Sequence, residues 1–200
     1  MIDGTPLYQV NHSLGLFSSF NSDMIKNVDF YKSGFPARYG GRLSSVIDVR
    51  TRDGDFNHFH GSFRIGLLDG SLQFEGPIRK GRTSYNIGLR RSWLDLLTRP
   101  IFAIHNKKND KNDDDITLNY FFHDFNAKVT NIFSDRSRLS LSVYSGEDRI
   151  HTKDELKDDD INETELNEFN MNWGNLNAAL NWEYVFSPKL FANFTAVYTH

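Results

Sequence analysis

Apolar and polar residues alternate through most of the chain after residue 57. In HDFNAKVTNIFSDRSRLSLSVYSG, residues 123–146, Phe125 and Val129 stand between polar neighbours, and after SDRSR the alternation resumes with Leu139 and Leu141. A period of two places successive side chains on opposite faces of a β-strand. This stretch therefore predicts a hairpin with one apolar face and one polar face.

The same alternation predicts seven consecutive strands. It recurs in five further segments, which are residues 58–68, 71–78, 84–93, 175–186 and 190–198. The short connectors RKGR, SDRSR and SPK are rich in turn residues and predict antiparallel pairs. At the other end of the strands, we expect one short link near Asp69 and two long polar loops, residues 94–117 and 149–169.

Residues 1–56 have a different pattern. Asn21 or Ser22 is a candidate N-cap before one short helical turn. The segments VDFYKSG and SSVIDVRTR predict two short strands, and GFPARYGGR lies between them.

The apolar face of the strands has two alternative environments. A soluble β-sandwich packs that face against a second sheet, whereas an outer-membrane barrel turns it to lipid and its polar face to the lumen. Tight turns at one end, long loops at the other and strands long enough for a bilayer favour the barrel. Aromatic residues near the predicted strand ends, as in an interfacial girdle, agree with it: Phe59, Trp93, Phe121, Phe133, Tyr144, Tyr184 and Tyr198.

Composition narrows the functional classes. The net charge of -3 gives no support for nucleic-acid binding, and the absence of cysteine excludes disulfides and thiolate metal sites. Mean hydropathy is -0.53, and no run of about 18 apolar residues predicts a transmembrane helix. No motif of a catalytic nucleophile or a metalloprotease occurs, so we expect a protein that is not an enzyme and needs no cofactor.

Two groups of polar residues are candidate metal ligands. His58 and His60 share one strand face, but no third ligand is evident in the sequence, and we expect the pair to be incidental. The acidic runs 109–115 and 154–165 lack the residue order of a calcium loop, and we expect solvated outer loops there.

The segment FYKSGFPARYGGRLSSVIDVRTRDG, Phe30 to Gly54, closely resembles the C-terminal part of the plug domain of TonB-dependent outer-membrane receptors. The preceding IDGTPLYQVNHSLGLFSSFNSDMIKNVDFY resembles the earlier part of the same plug. The residues of this segment are similar to those of receptors that carry a carboxypeptidase-like regulatory N-terminal extension. The resemblance implies an all-β fold, a fragment of a plugged transmembrane antiparallel β-barrel preceded by part of an α+β plug.

The resemblance also implies a domain division. Residues 1–56 would be the C-terminal part of the plug, and residues 57–200 the first seven strands of a barrel of about 22. We expect the chain to be an internal piece of a longer receptor, without its signal peptide, TonB box and first half of the plug.

The PARYGG core of the resemblance holds the candidate site residues. Gly40 and Gly41 allow a positive φ, and Pro36 fixes φ ahead of that turn. Arg38 and Arg42, with Arg50 and Arg52 nearby, make the segment basic. We expect these residues to pack the plug against the barrel wall, with the arginines facing wall carboxylates, rather than to contact ligand. The candidate carboxylates are Glu75, Asp124 and Glu183.

By resemblance, the parent takes up a scarce nutrient across the outer membrane of a Gram-negative bacterium. The cargo would be an iron chelate, a cobalamin, a peptide or a glycan, bound by plug and outer loops. The implied partners are the TonB–ExbB–ExbD energising complex, outer-membrane lipid and, where one lids the barrel, a surface lipoprotein. The alternatives are a soluble β-sandwich that binds carbohydrate or protein, and a plugged barrel used for signalling.

Overall fold

The computed structural model describes residues 1–41, 43–108, 115–158 and 163–200. In its N-terminal part, residues 1–56, two short antiparallel pairs follow one another. Strand β1 (Asn11–His12) pairs with β2 (Phe17–Ser18), and β3 (Ile25–Tyr31) pairs with β4 (Val46–Thr51). We call residues 1–56 the segment.

A short 3-10 turn, Ser22–Met24, joins the two pairs of the segment. The Asn21 side chain caps it, since its oxygen accepts a hydrogen bond from the Asp23 amide at 3.1 Å. The predicted cap and the two predicted strands are therefore confirmed.

Most of the described residues after 56 form one antiparallel seven-stranded sheet in which strands that are neighbours in sequence are neighbours in space. Its strands are β5 (His60–Ile65), β6 (Asp69–Arg79), β7 (Thr83–Ser92), β8 (Asp115–Ser134), β9 (Ser137–Asp158), β10 (Glu163–Ser187) and β11 (Leu190–Thr199). The sheet is open, because β5 and β11 lie at its two edges. The prediction of a mostly β, antiparallel fold with seven consecutive strands is confirmed.

The two long loops predicted between the strands are wrong in part. The first holds an α-helix, α1 (Leu94–Lys108), and β8 already begins at Asp115. The second is mostly strand, because β9 and β10 continue as a paired hairpin up to Asp158 and Glu163. Cross-strand hydrogen bonds continue there without any apolar alternation, which is why the hydropathy pattern missed this part of the ladder.

The acidic runs 109–115 and 154–165 lie in these two connections. Residues 109–114 and 159–162 lie outside the described residues, and so do the predictions made for them. Among the helices that the structure describes, none is long and apolar enough to cross a membrane.

The large sheet buries its polar face and exposes its apolar face, which is the inverse of a sheet in a soluble protein. Asn86 and Thr130 are completely buried, whereas Phe63 and Ile65 are 72% and 75% exposed. The buried polar residues include Ser71, Gln73, Ser84, Asp124, Asn126, Lys128, Ser142, Asp148, Asn175 and Asn177. The exposed apolar residues include Leu72, Phe74, Leu89, Phe125, Val129, Leu141, Leu176, Leu180, Trp182 and Phe194.

The segment is what buries the polar face. Register places Ser84, Asn86, Gly88 and Arg90 on the same face of β7. Ser84 Oγ donates to the Asp53 carbonyl at 2.6 Å. Among the described residues, no second sheet covers the opposite, apolar face. Water or another medium must therefore meet the apolar side chains.

Candidate functional site

The polar contact surface between the segment and the sheet is the candidate functional site, and we call it the interface. Sheet amides hold the segment by its backbone. Asn175 Nδ2 donates to the Gln9 carbonyl at 2.8 Å, and Asn177 Nδ2 donates to the Pro6 carbonyl at 2.6 Å. Such bonds suit a segment whose backbone has few sheet partners of its own.

His12 is the most deeply buried basic group of the interface, with 2% of its surface exposed. Its Nε2 lies 2.8 Å from Asp124 Oδ1, and its Nδ1 lies 2.6 Å from Asp148 Oδ2. Both partners are carboxylates without a donor, so both ring nitrogens carry protons and the ring is an imidazolium. Its ring also stacks on Phe122, with centroids 4.3 Å apart.

Each carboxylate that holds His12 has further partners. Asp124 accepts from Arg90 Nε at 2.7 Å and from the Tyr144 hydroxyl at 3.0 Å. Two cations and two carboxylates thus meet in one buried cluster, which we call the His12 cluster. A buried charge is tolerated only when it is paired and hydrogen-bonded, and this cluster meets both conditions.

Asp148, the second carboxylate of the His12 cluster, also binds the backbone of the segment. It accepts a hydrogen bond from the Ser13 amide at 3.2 Å and another from the Tyr120 hydroxyl. Ser13 has a φ of 51°, a left-handed conformation that costs a residue with a side chain about 1–2 kcal/mol. The contacts with Asp148 and Tyr120 offset this strain.

The His12 cluster changes the acidity of the imidazole. Burial by itself would lower the pKa of His12, but the hydrogen bonds that it donates to Asp124 and Asp148, with the charges of these carboxylates, outweigh burial and raise the pKa to about 9. The imidazolium is consequently the form present at neutral pH.

Lys128 is the centre of a second ionic group. Its ammonium donates to the Thr51 carbonyl at 3.0 Å and lies 3.2 Å from Asp53 and 3.6 Å from Asp3. Asp53 also pairs with Arg138 at 2.6 Å. Burial would raise the pKa of Asp53, but Lys128 and Arg138 more than offset it and hold the pKa below its usual range.

Close approach of the two layers requires glycine at two places. A Cβ at Gly88 of β7 would lie 2.7 Å from the Met24 side chain. Gly54 has a φ of 82°, and a Cβ there would collide with the Tyr85 backbone. Where Met24 and Thr51 face Asn126 and Tyr144, the cavity between the layers measures only about 10 Å³, so the segment sits tightly on the sheet there.

The predicted site residues lie elsewhere on the segment. Arg38 donates to the Tyr39 hydroxyl at 2.8 Å, and Tyr39 donates to Asp48 at 2.9 Å. Gly41 has the expected positive φ of 70°, whereas Gly40 does not. The carbonyl of Pro36 accepts a hydrogen bond from the Tyr39 amide at 3.0 Å. The last predicted site residue, Arg42, lies outside the described residues.

Among the described ion pairs of the interface, those of His12 with Asp124 and Asp148 have the polarity expected from the sequence, and Asp124 is one of the expected wall carboxylates. The other pairs have the opposite polarity. Segment carboxylates face sheet cations, as in the pair of Asp23 with Arg64 and that of Asp53 with Lys128. Arg50 pairs within the segment, at 3.6 Å from Asp48. Among the described ion pairs, none joins Arg38, Arg50 or Arg52 to the sheet.

The interfacial girdle position predicted for Tyr144 is wrong. Tyr144 is 3% exposed and lies on the polar face, where its hydroxyl binds Asp124. The sequence already indicated this orientation. Leu139 and Leu141, the outward residues of β9, have odd numbers, so a residue with an even number such as Tyr144 lies on the opposite face.

Sequence reasoning missed His12 as a functional residue. It lies in a two-residue strand, so no periodicity marks its side chain, and its partners are more than 100 positions away in the chain. The polar face itself was visible, since Lys128 and Arg90 occupy its alternating positions.

Comparison of this chain with protein-family models, with curated proteins and with solved structures finds no match. The function must therefore be inferred from the geometry of the two faces and of the interface.

Replacing Lys128 by Met should lower the free energy of unfolding by about 3–5 kcal/mol, because the buried Asp3 and the largely buried Asp53 lose a cation. The matched control is Lys26→Met, which removes an exposed ammonium 3.5 Å from the same Asp53 and should cost at most about 1 kcal/mol. Urea unfolding in detergent measures both. Equal costs would contradict a buried role for Lys128.

The His12 cluster should make stability depend on pH. Because the pKa of His12 rises from 6.5 to about 9 on folding, its contribution is complete below about pH 6.5 and is lost as pH rises through about 9. That contribution is on the order of 3 kcal/mol. Urea unfolding at several pH values should show a shallower loss for His12→Gln than for the unchanged protein.

The control for the pH experiment is His123→Gln, which alters an imidazole that is 41% exposed. This variant should keep the full loss between pH 6.5 and 9.5. If His12→Gln also kept it, the titrating group would lie elsewhere.

Proposed function

We propose that these 200 residues form part of an outer-membrane transporter, in which the segment plugs a larger β-barrel and the seven strands belong to its wall. The observation that carries the proposal is the inversion of the sheet, whose polar face is buried under the segment while its apolar face is exposed. Lipid is the medium in which that exposure is favourable.

The height of the apolar face agrees with a bilayer. On β10 the outward residues from Leu176 to Phe186 are apolar. This stretch rises about 33 Å along the strand, or roughly 23 Å across a membrane at a tilt of about 45°. The apolar band of outer-membrane barrels is about 25 Å tall.

The apolar band has a charged boundary. On β9, the outward positions change from Leu141 and Val143 to Glu147 and Arg149, and the strand continues to Asp158. The hairpin of β9 and β10 therefore extends past the band into water, as an outer loop does. Its projecting part is our proposed surface for the nutrient or for a surface lipoprotein.

The open edges support a larger assembly. Both β5 and β11 pair on one side only within the described residues, and unpaired edges invite aggregation. Further strands that close the cylinder would remove both edges. The resemblance of Phe30 to Gly54 to a receptor plug gives the expected size, about 22 strands around a plugged lumen.

The interface suits a gate. Its contacts are hydrogen bonds and ion pairs, which exchange for bonds to water with a net change of about 0.5–1.5 kcal/mol for a typical hydrogen bond. A periplasmic energising complex of the TonB–ExbB–ExbD type that pulls on the plug would break them in sequence. In this proposal, no chemical bond of the cargo is broken, and the protein binds and gates.

The exposed apolar face weighs against a soluble β-sandwich. Such a fold would bury Leu141 and Leu180 beneath a second sheet, yet these side chains are 46% and 42% exposed.

Single labels can test which medium meets each face, since these 200 residues contain no cysteine and any cysteine elsewhere in the complete protein can be replaced by serine. Spin labels at Leu141→Cys and Leu180→Cys in the complete protein in vesicles should be accessible to oxygen and protected from a water-soluble nickel chelate. Labels at Ser142→Cys and Asn181→Cys, on the polar face, serve as the control and should lose this preference for oxygen. Outward labels that meet the nickel chelate would contradict the membrane assignment.

Deleting residues 1–56 from the complete protein should open an aqueous channel. We expect a conductance in planar bilayers at least about tenfold above that of the intact protein, because an unplugged barrel of this size encloses a wide lumen. A deletion of residues 94–108, the helical connector, should leave the channel closed. A segment-free protein that stayed closed would contradict the plug.

A further inference from the structure

The junction between the segment and the sheet brings three metal-binding side chains together. Asp55, His58 and His60 each offer one ligand atom, and these atoms lie within 4.8 Å of one another. The sequence showed the two histidines but no third ligand, because Asp55 lies on the segment side of the bend that precedes β5.

The distances approach those of a coordinated ion. Asp55 Oδ2 lies 3.0 Å from His60 Nε2 and 3.9 Å from His58 Nδ1. Two ligands, each about 2.0–2.1 Å from a tetrahedral zinc ion, are about 3.3 Å apart. A small rotation of the His58 side chain, which is 77% exposed, would complete the arrangement.

The local backbone holds the carboxylate in place. Asp55 Oδ1 accepts hydrogen bonds from the amides of Asn57 and His58, at 2.6 and 3.0 Å. These bonds use one oxygen and leave Oδ2 directed at the histidines. Ligands fixed in this way by outer contacts bind metal more tightly than mobile ones.

Strand alternation fixes the position of His60. The ring of Phe59 packs against Gly76, where any Cβ would collide with it. His60, the next residue, therefore points to the other face and stands directly opposite Glu75 on β6. The Glu75 carboxylate is not among the clustered ligand atoms, so water would be the fourth ligand.

The geometry points to a divalent transition-metal site formed by Asp55, His58 and His60, with zinc as the preferred ion. Two imidazoles and one carboxylate are the nitrogen and oxygen ligands that zinc, nickel and copper bind. The ion would join the end of the segment to the first strand of the sheet. This site is independent of the proposed transport, since it requires only the described junction.

Titration calorimetry tests the site. The complete protein, purified in detergent without a histidine tag and stripped with a chelator, should bind one Zn²⁺ per chain at this site. Each of Asp55→Asn, His58→Gln and His60→Gln should weaken that binding at least about tenfold, the smallest loss usual even for outer-sphere partners of a metal. Cobalt should give the visible absorption of a tetrahedral or five-coordinate ion, and the same variants should abolish it.

The matched control is His123→Gln, which removes an imidazole 3.8 Å from Glu147, a pair that has no second histidine in its cluster. This variant should bind zinc as the unchanged protein does. Circular dichroism and protease resistance verify that all variants are folded. The site is disproved if the unchanged protein binds no zinc, if the three variants retain full affinity, or if His123→Gln loses as much as they do.

Discussion

A buried charge must be neutralised by an opposite charge and by hydrogen bonds, and this requirement determines how the segment lies on the sheet. The polar face carries Asp124, Asp148 and Lys128, none of which is more than 8% exposed. His12 satisfies the two carboxylates, and Asp3 and Asp53 satisfy the lysine. Since these partners are spread over the whole segment, its placement is fixed along its length.

The same chemistry gives an interface that is specific and still separable. A dry apolar interface would gain about 25 cal/mol for each Å² buried and would have to expose that surface to water on opening. Here the groups that separate are charged or hydrogen-bonded, and water solvates them. The strained backbone at Ser13, held by Asp148 and Tyr120, adds a contact whose loss relaxes the chain. These properties are the ones that the proposed gate requires.

The charge polarity of the interface also bears on the basic PARYGG stretch. Sheet cations take the segment carboxylates, and Arg38 makes its contacts within the segment, with Tyr31 and Tyr39. The described residues around Gly41 therefore contribute a turn between β3 and β4 rather than ion pairs with the sheet. The sequence did not indicate which residues of the segment bind the sheet.

The sequence by itself determined the strands, the tight turns and the two unlike faces, because a period of two is a local property of the backbone. It also marked Lys128 and Arg90 as members of the polar face. Only the tertiary structure decided that this face is the buried one, and that His12 and Asp55 complete sites whose other members lie far away or across a bend. Pairing of charges depends on distances between residues remote in the chain, and alternation along a strand contains no information about them.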